Sequence, residues 1–216
     1  QYFKKNTAIE HALDMVKNGA DIIDIGGEST RPFSDPVSLD EELSRVIPVI
    51  EGIRKKSDVC ISIDTTKSVV ASKALQVGAS IINDVSAMEV DPLMADVAIQ
   101  FNCPLIIMHM KGTPKNMQDN PKYESLISDI KDYLVGRIDF ALSKGVERKK
   151  IIIDPGIGFG KTVENNFEII NNLNHFVNLN LPVLLGASRK SFIGIALNLP
   201  ENDRLEGSLA ANIIGL

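Results

Sequence analysis

Six stretches of this 216-residue chain end in polar side chains of the kinds that hold or transform small molecules. They are Asp24 with Gly26-Gly27-Glu28-Ser29-Thr30-Arg31, Asp64-Thr65-Thr66, Asn83-Asp84, Met108-His109-Met110, Asp154-Pro155-Gly156 and Ser188-Arg189-Lys190-Ser191. Each follows a short apolar run. Carboxylates and an amide oxygen at one place accept hydrogen bonds, so the fitting guest is rich in N–H donors. A sequence selected only for stability would avoid gathering such groups, because they repel one another. Alternation sends His109 to the opposite side from Met108, which favours a structural role for the histidine. Asp24 and Glu28 read as scaffold for the loop that follows them. Lys190 is a conceivable Schiff-base nucleophile, but it lies beyond its strand and beside Arg189 rather than in a dry pocket.

One glycine-rich stretch, Asp154-Pro155-Gly156-Ile157-Gly158-Phe159-Gly160-Lys161-Thr162, invites a nucleotide reading. A phosphate loop needs glycine where Pro155 stands, and a dinucleotide fingerprint fails because the glycines fall as G-x-G-x-G. A flexible lid fits better, with Phe159 available to cover an aromatic ligand.

The elements that must carry these residues alternate from end to end. Apolar runs at 20–28, 59–65, 80–86, 103–110, 150–156 and 182–188 have the continuous stems of strands buried on both faces in a parallel sheet. Amphipathic stretches separate them. Thr7-x-x-Glu10 and Ser38-x-x-Glu41 read as capping boxes, and Asp91-Pro92 as a cap followed by proline at the first helical position. Gly19, Gly78 and Gly145 stand where helices end in a left-handed residue. Leu39, Leu43, Val46, Ile50 and Ile53 form a core-facing stripe. Gly19-Ala20-Asp21-Ile22-Ile23-Asp24 and Gly78-Ala79-Ser80-Ile81-Ile82-Asn83 repeat one plan: a helix stop, an apolar strand and a polar residue at its far end.

Six parallel strands, with a helix (7–18) before the first and another (201–215) after the last, suggest an α/β protein of the (β/α)₈ TIM-barrel class, lacking its first and last strands in this chain. A six-stranded doubly wound sheet is the alternative. No linker or composition shift divides residues 1–216, so a single domain is expected. In either architecture ligands bind at the carboxyl ends of the strands.

Composition narrows the classes. With 23 basic and 28 acidic residues the formal net charge is −5, which argues against a nucleic-acid binder. No apolar run approaches the ~18 residues of a membrane span. Cys60 and Cys103 sit in apolar strand-like segments and read as free thiols of a reducing compartment. No secretory signal is legible, and a cytoplasmic location is expected.

The segments GGESTRP (26–32), SIDTTK (62–67), IINDVSA (81–87), MHMKGTPKNMQ (108–118), DPGIGFGK (154–161) and GASRKSFIG (186–194) resemble the pterin-binding enzyme family, in family order and over essentially the whole chain. The resemblance implies a TIM barrel that condenses 6-hydroxymethyl-7,8-dihydropterin pyrophosphate with p-aminobenzoate in folate synthesis, with sulfonamides competing for the p-aminobenzoate site. It implies pterin contacts from Asp64, Asn83, Met108, Asp154 and Lys190, with Lys190 and Asp154 the catalytic pair. It also implies a p-aminobenzoate and pyrophosphate region of Thr30, Arg31, Pro32, Phe159 and Ser191. A pterin ring amide and exocyclic amine form a donor pair that a carboxylate accepts in bidentate fashion.

The same resemblance implies Mg²⁺ as cofactor and a homodimer. The family's magnesium-binding asparagine belongs to a first strand-loop, and its anion-binding arginine and histidine follow an eighth strand; no segment here matches either. No metal ligand is therefore assigned in this chain, and residues 1–216 alone are expected to be poorly stable and nearly inactive, since open sheet edges remain. The rival readings are a methyltetrahydrofolate methyltransferase on the same barrel and a pterin-binding module without turnover.

Overall fold

A computed structural model describes residues 5–31 and 34–215. Five strands, β1 (Ile22–Gly26), β2 (Cys60–Asp64), β3 (Ile81–Asp84), β4 (Leu105–Met108) and β5 (Ile151–Asp154), form one parallel sheet in the order β1-β2-β3-β4-β5. Each strand pairs with its successor and the order never reverses. A doubly wound sheet requires a reversal at its switch point, so that alternative is excluded for these strands.

The helices are α1 (Lys5–Lys17), α2 (Leu39–Arg54), α3 (Ser68–Gln76), α4 (Met94–Gln100), α5 (Leu126–Lys144), α6 (Val163–Asn171), α7 (Asn174–Val177), α8 (Ser191–Leu197) and α9 (Leu205–Ile214). Successive helices from α1 to α6 pack on one another, and α8 and α9 pack on α6. Strand alternation divides the sheet into two faces. Ile23, Ile61, Ile63, Ile82, Leu105, Ile107, Ile151 and Ile153 join the buried helices in one hydrophobic core. Val46, Ile50 and Ile53 of the α2 stripe enter that core, Leu43 packs at its margin and Leu39 is exposed.

The expected sixth strand, 182–188, shrinks to a single parallel bridge between Ile153 and Val183. The Ile153 N–H donates to Pro182 and the Leu184 N–H to Ile153; beyond them the segment finds no ladder partner among the described residues. Proline contributes no donor of its own. Two caps also differ from expectation. Thr7 lies inside α1, which already runs from Lys5, and α4 begins at Met94 rather than after Asp91. Asp91 instead accepts from the Leu93 N–H and, across the fold, from the Ser68 N–H at 2.8 Å, capping α3. Ser38 does cap α2 by accepting from Glu41, and Gly145 ends α5 in the left-handed conformation at φ 104°. Cys60 and Cys103 are free.

Candidate functional site

The alternation that sends isoleucines into the helical core sends Asp24, Asp64, Asn83, Met108 and Asp154 to the other face. The register aligns them across neighbours: Gly26 with Asp64, Asp64 with Asn83, and Met108 with Asp154. Five adjacent strands thus deliver four acceptors and one thioether to a single face at their carboxyl ends. Asp84, one residue on from Asn83, falls on the opposite side. It is buried and accepts from the N–H groups of Ser86 and Met88 and the Ser86 hydroxyl, so it shapes the turn after β3.

Asp24 organises part of this face. Its carboxylate accepts from the Ser62 hydroxyl and from the Asn83 amide nitrogen, at 3.4 Å to Oδ1 and 3.3 Å to Oδ2. A carboxylate only accepts, so the Asn83 NH₂ must turn toward it and the Asn83 oxygen is left as an acceptor. The Asp64 carboxylate accepts no hydrogen bond from any described residue. Burial pushes its carboxyl well above the ordinary carboxylate range, and the negative charges of Asp24, Asp84, Glu42 and Glu28 push it further. Such a group gains most from an incoming donor or cation.

Asp154 accepts from the Gly156 N–H at 2.7 Å. Its carboxyl is raised by burial, against the opposing pull of the Lys190 and Lys161 charges. Lys190 donates to the Ile157 carbonyl and lies 4.6 Å from the centroid of the Phe159 ring. Burial lowers its pKa and Asp154 partly restores it. Lys190, Phe159 and Asp154 therefore form one cluster, and Phe159 is covered by Lys190.

The glycine-rich stretch departs from the expected flexible lid. Its carbonyls from Ile157 to Gly160 each accept from a different side chain: Lys190, Gln118, Lys161 and Tyr123 in turn. Gly156 has φ 74°, and a Cβ there would overlap the His109 carbonyl oxygen. The loop is lashed to the segment after β4.

The base of the 26–32 loop is held by another lysine. Lys67 donates to Glu28 at 2.5 Å and to Glu42 at 2.6 Å, and Glu42 is wholly buried on α2. Burial alone would lower the Lys67 pKa, but the two carboxylates outweigh it and raise it. Glu28 also accepts from the Val37 N–H, closing the loop onto its own base. Of the expected p-aminobenzoate residues, Phe159 lies under Lys190. Thr30 is half-buried, exposed Arg31 reaches Glu201 at 3.2 Å, and exposed Ser191 opens α8. Pro32 lies outside the described residues.

Two lysine contacts to buried partners, Lys67 with Glu42 and Lys161 with His109, had no local signal in the sequence. The glycines before Lys161 were the one hint, since they remove side chains that would block a close approach. Among the described residues no three His, Cys, Asp or Glu side chains group to ligate a metal, so these residues do not form a cage for the expected Mg²⁺. No helix among them is long and apolar enough to cross a membrane.

Known proteins share this arrangement of chain. The profile of the family described as pterin binding enzyme matches residues 1–216. A dihydropteroate synthase of Clostridium beijerinckii is 47% identical over 211 residues, covering 98% of this chain and 76% of the relative. A crystal structure of the Yersinia pestis dihydropteroate synthase with a sulfonamide drug complex superposes at a TM-score of 0.95 with 40% identity, covering 98% of this chain and 77% of the other. The enzyme of Clostridium difficile in the presence of pteroic acid gives 0.92 and 44%, covering 100% and 80%.

Proposed function

This chain belongs to the pterin binding enzyme family, and from that premise we propose that it is a dihydropteroate synthase, a transferase of folate biosynthesis. It condenses 6-hydroxymethyl-7,8-dihydropterin pyrophosphate with p-aminobenzoate, giving 7,8-dihydropteroate and pyrophosphate. The observation that carries this reading is the acceptor face: unpartnered Asp64 beside an Asn83 whose oxygen Asp24 leaves free.

In this reading the ring amide N–H and exocyclic amine of the pterin donate to the carboxylates of Asp64 and Asp154. Asn83 accepts from the same edge, and Met108 packs on the flat ring. Lys190 reaches the ring beside Asp154 and borders the p-aminobenzoate pocket, while Thr30, Arg31 and Ser191 meet that substrate and the phosphates. The chemistry asks little of general acids and bases. The bond from the methylene carbon to pyrophosphate breaks, its electron pair leaving with the phosphate oxygen, and the electron-rich pterin spreads the developing positive charge. The aniline nitrogen gives its lone pair to that carbon and then sheds a proton to water. Rate enhancement then comes from holding the two partners in line and from fixed charges near the reacting atoms.

Mg²⁺ belongs to this proposal as a counter-charge for pyrophosphate, but no step is assigned to it. The five-stranded sheet is read as part of a (β/α)₈ barrel, and the protein as a cytoplasmic homodimer.

The test is product formation from the two substrates, followed by chromatography, in a complete barrel that carries residues 1–216, taken as the wild type, and in its Asp64→Asn variant. Dihydropteroate from the wild type and its loss in the variant are expected. Pterin affinity unchanged by Asp64→Asn would remove Asp64 from the site, and no product from a folded wild-type protein would sink the reading.

A further inference from the structure

Lys161 is 3% exposed, and its ammonium has three donors and three acceptors. Its Nζ lies 2.9 Å from His109 Nδ1, 3.3 Å from the His109 carbonyl oxygen and 2.9 Å from the Phe159 carbonyl oxygen. Two of these partners belong to the turn directly after Met108, and the third belongs to the loop between Asp154 and α6. The contacts thus tie together the two segments whose strands end in the paired residues Met108 and Asp154.

We propose that Lys161 is a positioning residue of the pterin pocket, whose buried ammonium fixes the Met108 side of the site against the side that carries Asp154, Phe159 and Lys190. The inference rests on the pterin-binding reading above and extends it to a residue that faces no substrate. The glycines around it make the approach possible: a Cβ on Gly156 would overlap the His109 carbonyl oxygen, and one on Gly160 would crowd the Lys111 backbone. Gln118 and Tyr123 donate to Gly158 and Gly160 at 2.7 Å each, but as neutral groups each making one such bond. Of these donors Lys161 alone is charged and makes three bonds from one atom.

The clamp depends on charge state. A neutral amine has only two N–H groups, so deprotonation costs one of the three bonds. Burial lowers the Lys161 pKa to about 7, Lys190 adds to the lowering and Asp154 opposes it. His109 accepts as a neutral ring, flanked by Tyr123 and Tyr133, with Lys111 nearby. The pocket therefore loosens as pH rises through about 7, and the ammonium that holds it also helps keep Asp154 ionised.

The test compares wild type with Lys161→Met, using 6-hydroxymethylpterin as the probe. Its binding is measured from pH 5.5 to 9, together with the KM for p-aminobenzoate and thermal melting. The variant is expected to bind the pterin about tenfold more weakly near pH 6, with the KM for p-aminobenzoate within twofold. The fall in wild-type affinity above pH 7 should vanish in the variant. A folded variant with wild-type affinity, or one that loses both substrates in parallel with its melting temperature, overturns the inference. Should Lys161→Met not fold, Lys161→Gln, which keeps an uncharged donor in place of the ammonium, is measured instead, and the same outcomes support or overturn the clamp. A wild type that binds no pterin at all defeats the functional reading instead.

Discussion

Asn83 donates its side-chain amide to both carboxylate oxygens of Asp24, across a separation of 59 residues. The contact decides which end of the amide faces the open side of the sheet, and so makes Asn83 an acceptor beside Asp64. Removing the carboxylate frees the amide to rotate. Asp24→Ala is therefore expected to weaken pterin binding by about 1–2 kcal/mol, roughly tenfold, through Asn83 rather than by direct contact. In a double-mutant cycle with Asn83→Ala the two effects should overlap almost completely. Full additivity would show that Asp24 acts independently.

Asp64 offers a test by proton linkage. Its carboxyl is raised by burial and by four neighbouring carboxylates, so in the free protein it holds its proton to a higher pH than an ordinary aspartate. Pterin N–H donors favour the anion and lower that pKa on binding. Binding must then release protons, and pterin affinity must rise with pH until Asp64 ionises in the free protein. Calorimetry in buffers of different ionisation enthalpy counts the protons. Asp64→Asn should abolish this release, and release that survives the substitution assigns the linkage to another group.

The chain made part of this legible and hid the rest for physical reasons. The repeated plan of helix stop, apolar strand and polar end, seen at Gly19–Asp24 and Gly78–Asn83, marks two strands whose polar ends turn out to be hydrogen-bonded to each other. Strand ends could be read because a buried parallel strand is apolar until it leaves the sheet. The segment 182–188 has the same apolar stem, yet it makes one bridge, because pairing depends on a neighbour and not on the segment's own composition. Glu42 and Lys161 would pass for surface charges. Their burial follows from partners 25 to 52 residues away, and no local pattern encodes that.

His109 predicts an acid limit to stability. Burial first, and then the Lys161 charge, hold its folded pKa at about 3, against 6.5 for the unfolded side chain. The neutral ring is thus favoured by folding. Its contribution is complete above pH 6.5 and is lost progressively as pH falls toward 3, because the unfolded chain takes up the proton first. His109→Gln keeps an acceptor for Lys161 and has nothing to titrate. The stability difference between wild type and variant, from urea unfolding at each pH, should change by a few kcal/mol between pH 7 and pH 4. A constant difference would mean that the imidazole titrates normally in the folded protein.

Lys190 separates catalysis from folding. It lies on Phe159, donates to Ile157 and supplies, more than Lys161, the positive charge acting on Asp154. Its bond to the loop carbonyl is one of four such anchors, so Lys190→Ala leaves Gln118, Lys161 and Tyr123 holding the stretch from Gly158 to Gly160. Melting is expected to shift by no more than a few degrees, the scale of about 1 kcal/mol in a chain of this size. Turnover should suffer far more. The ring loses a cation at its edge, and Asp154 loses the charge that best opposes its burial, so its protonated fraction rises and the site loses a charged acceptor. A hundredfold fall in kcat/KM corresponds to about 2.7 kcal/mol of lost transition-state stabilisation. The penalty should shrink toward high pH, where Asp154 ionises without help. An intact rate with a lowered melting temperature would make Lys190 a loop anchor only.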